Sequence, residues 1–201
     1  MSLSASIDII VLLSAAFTFV SFIQIYLQKK ELLHLYFGLS ALSIFAGYLA
    51  IFISQEYGNI IFEWARFVSI TIIISALLVL IRNLKPGFAR FPSYMSALPF
   101  ISIVFFPLVV DSISIKELVN AIYQGGALVV CLLVFSINHF RSTPRLFFKL
   151  SLLLLVTAYT VYWFFEAYTG NYSNLITEIS FSGGMILLSV GFKRLEQANQ
   201  N

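Results

Sequence analysis

Seven stretches of about 20 mostly apolar residues, joined by short polar connections, constrain this chain more than any other feature. A helix of about 20 apolar residues crosses about 30 Å of hydrocarbon, and each stretch reaches that length to within one or two residues at each end. The apolar runs are continuous, whereas the strands of a membrane barrel alternate apolar and polar residues. The sequence therefore predicts an all-α membrane protein.

The composition excludes a water-soluble globular protein. Of the 201 residues, 60% are hydrophobic and only 10% are charged, and the mean hydropathy is +0.94. A soluble domain of this size needs far more polar surface. We expect a single domain, residues 1–201, folded as a seven-transmembrane-helix bundle with helices at about 6–28, 32–54, 60–81, 92–110, 116–138, 145–168 and 174–192.

The basic residues lie almost entirely on one side of the predicted bundle. Short loops make consecutive helices antiparallel neighbours, so alternate connections share a side. Lysine and arginine in short loops mark the cytoplasmic side. We therefore expect a multi-pass protein of the cytoplasmic membrane with its N-terminus outside, and the net charge of +3 requires no nucleic-acid partner. The basic residues of the cytoplasmic side are Lys29, Lys30, Arg82, Lys85, Arg90, Arg141, Arg145, Lys149, Lys193 and Arg194.

Arg66 is the one basic residue that must lie well inside a predicted span. A guanidinium in hydrocarbon is costly, so it normally faces the bundle interior and has a partner, here Glu178 or Glu63. Helical spacing places further polar and aromatic groups on single faces of the third, fifth, sixth and seventh helices. The candidate site residues are Arg66, Glu178, Ser69, Tyr123, Gln124, Tyr159, Trp163 and Ser189.

Three interpretations of this polar cluster remain open. The groups line an aromatic-walled cavity that opens outward and binds a ligand, or they only hydrogen-bond one another and hold the helices together. A proton or ion path is the third interpretation, although no carboxylate lies in the inner half of the bundle to continue it.

Several residues are interpreted as structural. Tyr26, Tyr48 and Tyr168 lie near span ends, which is typical of interface anchors. His34 and His139 fall at the cytoplasmic rim, where solvated histidines are expected rather than a metal pair. Gly183 and Gly184 predict a small-residue face for close helix packing. With Cys131 as its single cysteine, the chain has no disulfide framework or cysteine-based metal site.

Three short strings, together with seven helices and an outside N-terminus, resemble the microbial (type 1) rhodopsin family. The strings are Trp64-Ala65-Arg66, Ala158-Tyr159 with Trp163, and Val190-Gly191-Phe192. They resemble, in that order, the Trp-Ala-Arg of the family's third helix, the retinal-facing wall of its sixth helix and the end of its seventh helix. Glu178 falls close to the outer glutamate that the family's pumps use for proton release. The resemblance implies a rhodopsin-like bundle.

The resemblance also implies that this chain carries no covalent retinal. In the family, a lysine in the middle of the seventh helix forms the retinal Schiff base, and the slot aligned with it here holds Ser189, which cannot form an imine. Ser69 replaces the counter-ion carboxylate, and Leu80 occupies the slot of the inner proton donor. We expect no light-driven proton pumping by that mechanism and no cofactor, with noncovalent retinal or carotenoid left open.

The expected function is that of a non-enzymatic, rhodopsin-like membrane protein that binds a small ligand from the outer side or signals through a partner. No nucleophile–base pair or metal-ligand cluster occurs within the predicted spans, which argues against an enzyme. The alternatives are a sensory membrane module, an accessory subunit of a larger membrane complex, and a small transporter or channel. The expected partners are the lipid bilayer and a cytoplasmic or membrane protein, with a homo-oligomer left open.

Overall fold

The computed structural model describes residues 3–54, 57–84, 87, 90, 92–109, 112–139, 146–169 and 171–198, and these residues are almost entirely helical, with no strand among them. Helix α1 is followed by two further long helices, a 3-10 helix with the short α4 directly after it, and three more long helices. Their bounds are α1 Leu3–Lys29, α2 Leu32–Ile53, α3 Gly58–Leu84, the 3-10 helix Ser93–Phe100, α4 Ile101–Val109, α5 Ile113–His139, α6 Leu146–Thr169 and α7 Asn171–Ala198.

Five of the described helices, α1, α2, α3, α5 and α7, are long and apolar enough to cross a membrane. Two shorter apolar segments, Tyr94–Pro107 and Leu146–Tyr162, occupy the places of the fourth and sixth predicted spans. The chain is therefore a membrane-embedded helical protein. Most predicted helices agree with the observed ones to within a few residues.

The fourth predicted helix differs from expectation because it is not one continuous α-helix. Its first half is the 3-10 helix and its second half is α4; together they form a unit that we call helix 4. Pro99 lies where the two halves meet, and proline has no N–H to continue an α-helical ladder. The hydroxyl of Ser102 donates to the carbonyl oxygen of Pro99 at 2.7 Å, which adds a local bond at this junction.

Helix α3 is the central element of the bundle. Every residue from Ser69 to Leu77 is buried, so all faces of this stretch contact protein. Its polar side chains bond within the helix: Thr71 Oγ1 donates to the Phe67 carbonyl oxygen at 2.9 Å, and Ser75 Oγ to that of Thr71 at 3.1 Å. These local bonds let hydroxyls lie in an apolar core without an unsatisfied donor.

Six helices form a closed ring in which each packs on its neighbours in the order α1, α2, α3, α5, α6, α7 and back to α1. Helix 4 lies outside this ring: it packs on α3 and barely contacts α5. Its main anchor is Phe106, whose ring stacks on that of Phe67 with centroids 4.1 Å apart. The arrangement leaves grooves between helix 4 and α5.

Small residues set the distance between the most closely packed helices. A Cβ added to Gly184 of α7 would lie 3.0 Å from Leu155 and 3.2 Å from the carbonyl oxygen of Ser151 on α6, which confirms the predicted small-residue face. A Cβ on Gly47 of α2 would lie 2.9 Å from the Cβ of Ala65 on α3. The residues that follow these two, Tyr48 on α2 and Arg66 on α3, are both part of the site described below.

Candidate functional site

A cavity of about 40 Å³ lies inside the ring, at the end of the bundle where α1 begins and α2 ends. Its walls are mostly apolar and come from all six ring helices. The polar and charged side chains that line it are Tyr48, Arg66, Gln124, Tyr159, Thr177 and Glu178. Four of the eight residues predicted from the sequence, those on α3, α5, α6 and α7, thus meet at one place.

Tyr48 lies on the cavity wall together with the carboxylate of Glu178. Its hydroxyl and that carboxylate lie close enough to interact, with the hydroxyl as the donor. The Tyr48 side chain is only 4% exposed, and its ring meets that of Phe62 edge-on at 4.9 Å. The prediction of an interface anchor at this position is therefore wrong. The contact between Gly47 and Ala65 brings α2 so close to α3 that this face of α2 is buried.

Arg66 faces the same cavity without a direct ion pair to a carboxylate among the described residues. Its guanidinium carbon lies 4.9 Å from the centre of the Tyr162 ring, a cation–π contact. Glu63, one of its two predicted partners, instead accepts a hydrogen bond from Lys116 of α5 at 2.8 Å. Arg66 acts on Glu178, the other predicted partner, through electrostatic attraction across the cavity.

Two hydroxyls on the cavity wall have no hydrogen-bond partner within the described part of the chain. They belong to Tyr159, which is 2% exposed, and Thr177, which is 7% exposed. Buried polar groups in proteins are nearly always hydrogen-bonded. Leaving one without a partner costs about 1–3 kcal/mol. These hydroxyls are therefore positions where a polar guest would be stabilised.

Three of the predicted site residues lie elsewhere. Ser69 is fully buried against α2, and its hydroxyl shares a hydrogen bond of 2.8 Å with that of Ser40. Tyr123 packs on Phe67 with ring centroids 4.9 Å apart and lines a groove beside helix 4. Ser189 is deeper in α7. None of these three residues lines the cavity. The side chain of Trp163, like that of Tyr168, lies outside the described residues.

Tyr48 and Thr177 line the cavity but are not among the site residues predicted from the sequence. Thr177 lies one turn before Phe181, which also lines the cavity, so a wider buried face on α7 would have included it. Tyr48 adjoins Gly47, and a glycine in the middle of an apolar helix indicates close approach of another helix. The glycine is visible in the sequence, but the sequence does not show which helix packs against it.

His34 differs from the prediction of a solvated rim histidine. Its side chain is 2% exposed and lies between the rings of Phe22 and Phe192, at centroid distances of 6.4 and 5.2 Å. Its Nδ1 is 3.5 Å from a carboxylate oxygen of Glu31. No group of three potential metal ligands occurs in the ranges that the structure describes. The side chain of His139 is not among the described ones.

The retinal-lysine slot of the rhodopsin resemblance is filled by a packed side chain. Ser189 is fully buried, and its hydroxyl donates to the carbonyl oxygen of Ile186 at 2.8 Å. The cavity of about 40 Å³ is also far smaller than the pockets of about 300–1,000 Å³ that hold ligands of retinal size. No family model, curated protein or solved structure matches this chain.

Proposed function

We propose that this protein is a non-enzymatic, retinal-free seven-helix protein of the cytoplasmic membrane, related to the microbial rhodopsins, that binds a small polar molecule at its outer end. The binding site is the cavity between Arg66 and Glu178. One observation carries the proposal: a guanidinium and a carboxylate face one cavity whose Tyr159 and Thr177 hydroxyls have no partner among the described residues.

The charges on the wall define the chemical class of the ligand. Arg66 offers N–H donors, which bind carboxylate or carbonyl oxygens. Glu178 accepts hydrogen bonds from N–H groups or a cation. A simple anion would be repelled by Glu178, and a simple cation by Arg66. A small zwitterion or amide satisfies both groups.

The size of the cavity limits the ligand to a few non-hydrogen atoms. A space of about 40 Å³ has room for roughly two or three water-sized groups. A larger molecule would require side chains such as Phe62 or Phe181 to move. The proposal therefore favours the smallest zwitterions and amides over a pigment.

The core beneath the cavity favours binding over passage. On α3, the residues that follow Arg66 toward the other end include Ile70, Ile73, Ile74 and Leu77, all of which are buried. The buried hydroxyls among them bond to Ser40 or to carbonyl oxygens of α3, and no Asp, Glu, Lys or Arg is among the buried residues that the structure describes. Such a core is a barrier to ions and charged solutes. We therefore propose that the protein retains its ligand at the outer end and does not conduct it.

A ligand panel on the purified protein tests the proposal. Glycine, urea and acetate are added separately in the millimolar range, and the thermal unfolding midpoint is measured in detergent. Glycine or urea should raise the midpoint, because a ligand at 100 times its Kd stabilises the folded state by about 2.7 kcal/mol. Acetate should have little effect on the midpoint because Glu178 would repel its negative charge.

Variants separate the site from general effects. Arg66→Gln and Glu178→Gln should each abolish the ligand-dependent shift. Lys116→Gln breaks the exposed ion pair with Glu63 and should keep the shift, since neither partner lines the cavity. A shift that survives Arg66→Gln, or a wild-type protein that responds to none of the probes, contradicts the proposal.

A further inference from the structure

A second groove lies outside the ring, at the end of the bundle where α3 ends. It has a volume of about 330 Å³ and separates the start of helix 4 from α3 and α5. Its walls are apolar: Leu78 and Ile81 come from α3, Met95 from helix 4, and Leu133 and Ile137 from α5. Met95 is 41% exposed and Leu133 50% exposed, so the groove is open to the surrounding lipid.

Arg82 is the only charged side chain that lines this groove in the described part of the chain. It lies in the last turn of α3, next to the apolar wall, and forms no ion pair with a described carboxylate. The segment 82–92, which connects α3 to helix 4, contains three basic residues and no acidic one. Within the described ranges, no carboxylate therefore lies within ion-pair distance of Arg82.

The position of Arg82 along the membrane normal matches a lipid headgroup. Helix α3 has 27 residues, which at 1.5 Å per residue is about 40 Å. This length covers the hydrocarbon core and part of both headgroup layers. The guanidinium in its last turn thus lies at headgroup depth, whereas Leu78 and Leu133 lie at the depth of the acyl chains.

We propose that this groove binds one anionic phospholipid, with its phosphate on Arg82 and an acyl chain between helix 4 and α5. A guanidinium binds a phosphate with two parallel hydrogen bonds, and basic pockets between membrane helices recognise anionic headgroups. The proline at the centre of helix 4 and its loose contact with α5 create the apolar slot.

The charge distribution distinguishes this occupant from a second copy of the chain. A second copy in the same orientation would bring its own Arg82 and Arg90 to the same depth, and like charges repel. An apolar partner helix would gain nothing from Arg82. A lipid with a net negative headgroup uses both the apolar walls and the charge.

Native mass spectrometry of the full chain tests the proposal, with dioleoyl phosphatidylglycerol and dioleoyl phosphatidylcholine as the two probes. One phosphatidylglycerol should bind at least about fivefold more tightly than phosphatidylcholine, the effect expected of one basic residue near the surface. Arg82→Gln should remove this preference. Lys149→Gln is the control and should keep the preference. Lys149 is a basic residue near the start of α6, at the same end of the bundle, and it does not line the groove.

A second pair of variants tests the acyl-chain slot. Leu133→Trp places a large ring at the mouth of the groove and should weaken both lipids about tenfold. Leu132→Trp is the matched control, since Leu132 is 46% exposed on the same helix and does not line the groove. Equal binding of the two lipids, equal effects of Arg82→Gln and Lys149→Gln, or equal effects of the two tryptophan variants would overturn the proposal. A protein dimer in place of a lipid adduct would overturn it as well.

Discussion

At the residue scale, small and hydroxyl side chains determine which helix faces meet. Lipid is as apolar as the core, so the hydrophobic effect does not drive one membrane helix against another. The interactions that do hold membrane helices together are close packing and hydrogen bonds between helices. The hydrogen bond between Ser40 and Ser69 joins α2 to α3, and the contact of Gly47 with Ala65 sets their separation one to two turns away. Together they place Tyr48 and Arg66 on the cavity.

Gly47→Ala should destabilise the protein and disturb the site. The new methyl group would lie 2.9 Å from the Cβ of Ala65 and 3.4 Å from the backbone of Phe62, so α2 must move away from α3. Overpacking of this kind costs about 1–3 kcal/mol. The measurement is the free energy of unfolding in a denaturing-detergent titration.

Gly126→Ala is the matched control for this prediction. A Cβ at Gly126 would have only the Cδ1 of Ile74 within 4 Å, at 3.8 Å. Alanine is a better helix former than glycine by up to about 1 kcal/mol, so this variant should be neutral or slightly more stable. If both variants lose the same stability, close packing at Gly47 is not the cause.

At the element scale, helix 4 is the least integrated part of the described chain. Phe106 is 2% exposed, whereas Leu98, Ile101, Val104 and Phe105 are each about half exposed or more. An element held by few buried contacts opens at a lower free energy than the rest of the molecule. We expect helix 4 to exchange its amide hydrogens faster than α3.

Phe106→Ala should release helix 4 from the ring without unfolding it. The substitution removes the ring that stacks on Phe67, at a cost of about 3 kcal/mol or less, because lipid can fill part of the space. Hydrogen exchange should rise across 93–109 and stay unchanged in α1 and α2. Phe105→Ala should have almost no effect, since Phe105 is 57% exposed. Similar exchange in the two variants would show that Phe106 is not the anchor.

At the scale of the whole molecule, the distribution of charge predicts the orientation in the membrane. The connection between α2 and α3 is at the end that holds the cavity, and the connection after α3 is at the basic end. The excess of lysine and arginine at the basic end predicts that it faces the cytoplasm. The cavity would then face outward, as the proposed function requires.

Cysteine labelling in intact cells measures this orientation. Asn59→Cys should react with a membrane-impermeant maleimide, and Asn83→Cys should react only after the cells are permeabilised. Both positions are exposed, and the native Cys131 is fully buried, so it should contribute little background. The reverse labelling pattern would contradict this orientation, because it would show that the cavity faces the cytoplasm.

The sequence by itself determined the helices and their membrane environment. Each apolar run is a local property, and a run of about 20 residues can satisfy its backbone in lipid only as a helix. The bounds of α2, predicted at 32–54 and observed at Leu32–Ile53, show how closely this works. The prediction that Arg66 faces the bundle interior rested on the cost of a charge in hydrocarbon, and Arg66 and Glu178 line the same cavity.

Only the tertiary structure decided which polar groups meet. In the folded protein Tyr48 lies near Glu178, Glu63 forms an ion pair with Lys116, and Ser69 shares a hydrogen bond with Ser40. The reason is physical: when most faces of a helix are apolar, hydrophobicity does not specify the rotation of the helix about its axis. Contacts between small residues and interhelical hydrogen bonds set that rotation, and both depend on the partner helix.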